Sequence, residues 1–288
     1  MAARAGGEVV KSPGTLVISM YSGCPDIRQV VSPDLKNDGG DLFFIDLGGG
    51  QSRMGGSILA QCFSQIGNRT PDMDSSKEFC AAFDTTQSLI ASNAIAAGHD
   101  RSDGGLIVAL LEMAFAGNCG FTVNIPASEN NNISPIELLF AEELGLLIEA
   151  SPGRSDDIKQ AFHDAGVPCV HIGKVERPSD RNVGQKNQSK ITLSVGGSTL
   201  LDKVPMWELR DKWEETSFEL EKRQCNPKCV EQEQNGMSCR TSPPFHLTYC
   251  PRKTPCSVMN ETEKVKVAVV REEGSNGDRE MSAAFYAA

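Results

Sequence analysis

No run in this sequence approaches the roughly 20 apolar residues that a helical membrane span needs. Cations are outnumbered: 28 Lys and Arg face 38 Asp and Glu, for a formal charge of -10 and a pI near 5.0. General nucleic-acid binding needs clustered Lys and Arg against phosphates, and this balance argues against it. The opening residues Met1 to Gly7 are too short and too weakly apolar for a secretory signal, and a transit peptide would be longer and rich in Arg and Ser. Histidine is scarce. His99, His163, His171 and His246 fall in no Ser-His-Asp or Cys-His arrangement. The Gly-Lys-Ser/Thr ending of a P-loop, dinucleotide-binding spacing and internal repeats are also missing.

What is present is an ordinary globular composition, 39% hydrophobic and 23% charged over 288 residues. That length allows one or two domains at about 100–200 residues each. Of ten cysteines, Cys24, Cys62, Cys80, Cys119 and Cys169 are scattered and read as reduced, packed thiols of an intracellular protein. Cys225, Cys229, Cys239, Cys250 and Cys256 crowd one stretch. Structural zinc is weighed there and set aside, because Cys225-x-x-x-Cys229 has no second tight pair and His246 is the only nearby imidazole.

The pattern along the chain is mixed α/β. Strands are expected at 15–20, 41–47, 121–125, 146–148, 169–175 and 191–195. Helices are expected at 76–95, with Phe79, Phe83, Ile90 and Ala94 on its apolar face, at 104–115, after the capping box Ser134-Pro135-Ile136-Glu137, at 155–165 and from Met206. The later strands lack helices between them, which favours helices packed on one face of a sheet. Trp207 and Trp213 are read as packing anchors. From Cys225 the chain reads as a polar connection, and from about 264 as a strand, a loop and the start of a helix.

The sharpest chemical feature is His99-Asp100-Arg101-Ser102-Asp103-Gly104-Gly105. Asp100 offers oxygen to a hard cation such as Mg²⁺. Ser102 and the N–H groups of the following helix start offer donors to phosphate, and the glycines permit close approach. The plainer reading is a helix cap with turn glycines. Gly48-Gly49-Gly50 to Gly55-Gly56-Ser57 is a second, weaker Gly-rich stretch. Glu142 and Glu143 are adjacent carboxylates that should point apart in structural or solvated roles.

Several strings in order resemble the large single-chain phosphoribosylformylglycinamidine synthase family, its plant versions above all. They are Ile45 to Gly48, Met54 to Gln61, His99 to Leu106, Glu112 to Gly117, Glu142 to Gly145, and Lys266 to Met281. The resemblance implies an ATP- and glutamine-dependent ligase of purine biosynthesis. ATP activates the amide oxygen of formylglycinamide ribonucleotide, and ammonia released from glutamine displaces the phosphate. It implies an AIR-synthase-like C-terminal α/β subdomain over 41–200, preceded at 1–40 by the tail of a barrel-forming subdomain. A helix and Cys-rich linker follow at 201–263, and 264–288 would open a class I glutaminase-like domain. By position Asp100 matches a magnesium ligand and Ser102 a contact to ATP or ADP at an auxiliary site. The remaining metal ligands would lie before Met1 and the glutaminase nucleophile beyond Ala288, so no catalytic residue is assigned and the chain alone should be inactive. The parent is expected to be monomeric and without nucleic-acid or membrane partners. It should be cytoplasmic by default, or plastid or mitochondrial in a plant. The alternative is a stand-alone nucleotide-binding α/β module without catalysis.

Overall fold

A computed structural model describes residues 2–11, 16–24, 26–36, 39–127, 133–176, 187–239, 248–250, 252, 254–263 and 265–287. The strands are β1 Ala2–Ala5, β2 Glu8–Lys11, β3 Asp41–Asp46, β4 Ile95–Asp100, β5 Gly120–Ile125, β6 Gly145–Ala150, β7 Cys169–Glu176, β8 Lys190–Val195 and β9 Ser198–Pro205. The helices are α1 Ile58–Cys62, α2 Ser76–Ala91, α3 Gly105–Gly117, α4 Pro135–Phe140, α5 Ser155–Asp164, α6 Met206–Gln224, α7 Pro227–Met237, α8 Cys256–Met259 and α9 Asp278–Ala287. The chain divides into two compact units, Met1–Thr241 and Ser242–Ala288.

In the first unit β1 and β2 form a small hairpin, and seven strands form a sheet in the order β4-β6-β3-β7-β5-β8-β9. Every pairing in that sheet is antiparallel except β5 with β8. Central strand β3 reads Leu42-Phe43-Phe44-Ile45 because both its faces are covered. Leu42 and Phe44 join a core with Leu106, Leu110 and Met113 of α3 and Leu139 of α4. Phe43 and Ile45 join a second core with Ala82 and Leu89 of α2 and Ile158 and Phe162 of α5. The expectation of helices on one face is therefore corrected. The period-2 alternation of side chains sends neighbouring apolar residues of β3 to opposite faces, and each face needs its own cover. Toward β5 and β8 one face suffices: Phe121, Val123 and Ile125 are buried while Thr122 and Asn124 are exposed.

Other expectations meet the structure unevenly. The capping box forms, with Ser134 Oγ accepting from Glu137 N–H and Glu137 Oε2 from Ser134 N–H. Residues 16–20 form no strand, and Leu16, Val17, Ile18 and Met20 are 74–88% exposed; an apolar run with no ladder partner gains nothing from extended geometry. Residues 265–270 likewise form no strand, with Val265 and Val270 exposed. The buried face of α2 carries Ala82 and Leu89 rather than Phe79 and Phe83, which are exposed, so the helix is turned roughly a quarter turn from its apolar pattern. Only Cys119 of the scattered cysteines is buried and Cys169 half-buried; Cys24, Cys62 and Cys80 lie open. The stretch after Cys225 holds α7, capped by Asn226 and packed through Val230 and Met237 on Phe218 of α6. The second unit contributes α8 and α9, with no buried side chain among its described residues.

Candidate functional site

The His99–Gly105 motif lies at the seam between a strand and a helix. The sequence pattern missed β4, because Ile95-Ala-Ala-Gly-His-Asp100 is poor in the β-branched and aromatic residues that mark strands. The strand pairs along β6, with Asp100 opposite Leu146, and Arg101 N–H adds one more bond to the Gly145 carbonyl, 2.8 Å. The chain then turns through Ser102, whose carbonyl accepts from Gly105 N–H at 2.9 Å, and enters α3. Gly104 and Gly105 both have positive φ, +83° and +74°. A Cβ on Gly104 would lie 2.5 Å from the Val108 side chain, and one on Gly105 2.7 Å from the backbone of Leu139 and Phe140. The paired glycines are thus demanded by backbone conformation and packing together.

The Asp100 side chain projects into solvent, 71% exposed, and the half-exposed Ser102 follows it. His99 sits beneath. Its Nδ1 is 2.6 Å from the Asp100 carbonyl and 3.3 Å from Oδ1, and its Nε2 is 3.5 Å from Glu112 Oε2 on α3. Burial pushes the Glu112 carboxyl above its ordinary value; His99 opposes the rise, and Asp100 and Asp103 add to it. Asp100 and Asp103 thus lie close enough to Glu112 to repel its carboxylate. Among the described residues no three His, Cys, Asp or Glu side chains gather as a ready metal cage.

One expectation about the helix start changes. The Gly104 N–H, anticipated as a phosphate donor, donates to Glu142 Oε1 at 2.8 Å, and the same oxygen accepts from Ile58 N–H at 2.8 Å. Glu142 therefore joins the start of α3 to the end of the Gly-rich loop. Its neighbour Glu143, wholly buried, accepts from Arg53 N–H and its guanidinium at 2.7–2.8 Å, and Arg53 also reaches Asp74 at 2.8 Å. The bond to Glu143, foremost, holds the Arg53 guanidinium above its ordinary value. The two glutamates point apart and act structurally, as their adjacency suggested. A cleft of about 350 Å³ opens along the Gly-rich loop, lined by Gln51, Ser52, Met54, Asn68 and Arg69 among others. Neither Asp100 nor Ser102 lines it.

Residues 47–184, which contain all of these loops, match the family described as AIR synthase related protein, C-terminal domain. Along 100% of its length the chain is 49% identical to the "Probable phosphoribosylformylglycinamidine synthase, chloroplastic/mitochondrial" of Arabidopsis thaliana and 43% identical to the phosphoribosylformylglycinamidine synthase of Homo sapiens. The chain is a partial member of the phosphoribosylformylglycinamidine synthase family. It spans about a fifth of the length of those relatives, 20% and 21%. In fold it is similar to T. maritima PurL complexed with FGAR, over 64% of this chain and 30% of that one, with a TM-score of 0.50 and 14% identity. The mixed α/β class that the sequence pattern implied is thus also the class of this structural neighbour.

Proposed function

We propose that this chain is part of an ATP- and glutamine-dependent ligase converting formylglycinamide ribonucleotide to formylglycinamidine ribonucleotide. Its own share is an auxiliary nucleotide site in which Asp100 holds Mg²⁺ and Ser102 contacts a phosphate of ADP or ATP. The observation that carries this reading is the Asp100–Gly105 turn. It presents the largely exposed Asp100 carboxylate, with His99 Nδ1 at 3.3 Å, and the half-exposed Ser102 two residues on, where a strand gives way to a helix, in a chain 49% and 43% identical to relatives named as that synthase. Mg²⁺ fits such a donor set, since it keeps several waters and takes one or two carboxylates beside phosphate oxygens. The ion would offset the repulsion among the carboxylates of Asp100, Asp103 and Glu112 and that of an incoming phosphate. No residue of this chain is assigned to bond making or breaking. In a plant the parent's compartment is the plastid or mitochondrion, as the name of the Arabidopsis relative states for that protein; elsewhere it is the cytoplasm.

Titration calorimetry of the 288-residue chain with ADP tests the site. Saturable binding is expected with Mg²⁺ and much weaker binding without it. Asp100→Asn should weaken Mg²⁺-dependent binding by about tenfold or more, a loss of about 1.4 kcal/mol, and Ser102→Ala by less. Equal binding by wild type and Asp100→Asn rejects the assignment. A stand-alone nucleotide-binding module is the second reading, favoured by a first unit with two cores of its own. The mass of the endogenous protein separates the two readings. A species several-fold above 31.0 kDa supports the ligase, and one at 31.0 kDa supports the module.

A further inference from the structure

Between the largely exposed Asp100 and the half-exposed Ser102 lies Arg101, 6% exposed. Its guanidinium is tied on several sides. Nε donates to the Glu143 carbonyl at 2.5 Å, and Nη2 donates to the Leu144 carbonyl at 2.7 Å and to Asp46 Oδ1 at 2.9 Å. The guanidinium carbon lies 5.0 Å from the centre of the Phe44 ring. Asp46 and Phe44 belong to β3, and Glu143 and Leu144 lead into β6. Glycines shape the slot. A Cβ on Gly48 would come within 3.3 Å of Nη2, and one on Gly145 within 3.3 Å of Nε, so any larger residue at either position would press on the guanidinium. Asp46 also accepts from Gly48 N–H at 3.1 Å, which fixes the acceptor that Arg101 uses.

We infer that Arg101 is the positioning residue of the nucleotide site: its buried guanidinium pins the Asp100–Ser102 turn to the ends of β3 and β6, so that the carboxylate and the hydroxyl on either side of it are held in one fixed relation. This inference rests on the proposed nucleotide site. Its physical basis is the planar fork, which satisfies two backbone carbonyls and a carboxylate at once; a Lys ammonium is a point charge without that geometry. Without the guanidinium the turn would keep its backbone bonds, Arg101 N–H to the Gly145 carbonyl and Gly105 N–H to the Ser102 carbonyl, but would lose the side-chain ties that fix it against Asp46 and the Glu143–Leu144 segment. Preorganisation is then lost rather than contact with the ligand.

The full chain, titrated with ADP in the presence of Mg²⁺, tests it. Arg101→Ala should weaken binding by about tenfold or more, Arg101→Lys should restore only part of it, and millimolar guanidinium added to Arg101→Ala should recover affinity. In an Asp100→Asn background Arg101→Ala should cost little further affinity, because the carboxylate it positions is already gone, whereas a merely structural loss would add in full. Should Arg101→Ala fail to fold by circular dichroism, Asp46→Asn keeps a neutral acceptor in place and should weaken binding by several-fold. Unchanged affinity in folded Arg101→Ala, or in Asp46→Asn when Arg101→Ala does not fold, overturns the inference while leaving the site intact. Absence of ADP binding by the wild-type chain overturns the site reading and the inference with it.

Discussion

At the residue scale, Asp41 shows how a carboxylate is held by its neighbours. Ser155 Oγ donates to Oδ2 at 2.5 Å, and His171 Nε2 and Lys174 Nζ lie 3.0 and 3.2 Å from Oδ1. Burial alone would raise this carboxyl, but the bonds from Ser155, His171 and Lys174 outweigh it and hold it at about 2, against an ordinary 3.8. The folded value lies below the unfolded one, so the stabilisation is complete above the unfolded pKa and is lost as pH falls from about 4 to about 2. Asp41→Asn should therefore flatten that part of the acid limb in urea midpoints measured from pH 2 to 5. An acid limb identical to wild type would remove Asp41 as a contributor. None of this was legible beforehand, because Asp41, Ser155 and His171 meet only when β3, β7 and α5 pack together. The Gly104-Gly105 turn before α3 was legible from its residue types and spacing; that Asp100 ends a strand was not, because β4 itself was hidden.

At the element scale, α3 enters its core at a backbone conformation that only glycine adopts easily. Gly105→Ala meets both a φ of +74° and backbone atoms at 2.7 Å. It should cost at least about 1–3 kcal/mol of stability from the strained backbone alone. Gly236→Ala in α7 meets nothing within 4 Å and has no positive φ, so it should instead stabilise by up to about 1 kcal/mol. Chemical denaturation of the two variants checks the contrast, and equal effects would refute it. The capping box made α4 readable from sequence, and it forms as expected; α3 ends at Asn118 in the left-handed conformation. The face of α2 was not readable. Its most apolar stripe includes Phe79 and Phe83, and it is the sheet that selects the smaller Ala82 and the Leu89 for close approach. The strand β4 was also hidden, because a sheet edge tolerates Ala and Gly where its neighbour β6 supplies the ladder.

At the scale of the whole molecule, every buried side chain among the described residues belongs to the unit Met1–Thr241. A chain ending at Thr241 should then melt within about 2 °C of the full chain, since a shift of a few degrees corresponds to roughly 1 kcal/mol in a domain of this size. A drop of ten degrees by calorimetry would show that residues 242–288 carry part of the stability. The sequence by itself determined the mixed α/β class, the order of most elements, the lack of an apolar run long enough for a helical membrane span and the family, because each is written in local periodicity, end signals or ordered motifs. Tertiary structure alone decided that helices cover both faces of the sheet, that Glu142 takes the Gly104 N–H, and that Arg101 anchors the Asp100–Ser102 turn. Those outcomes depend on groups more than 35 residues apart in the chain finding partners across the fold, and no local pattern encodes which buried donor will meet which acceptor.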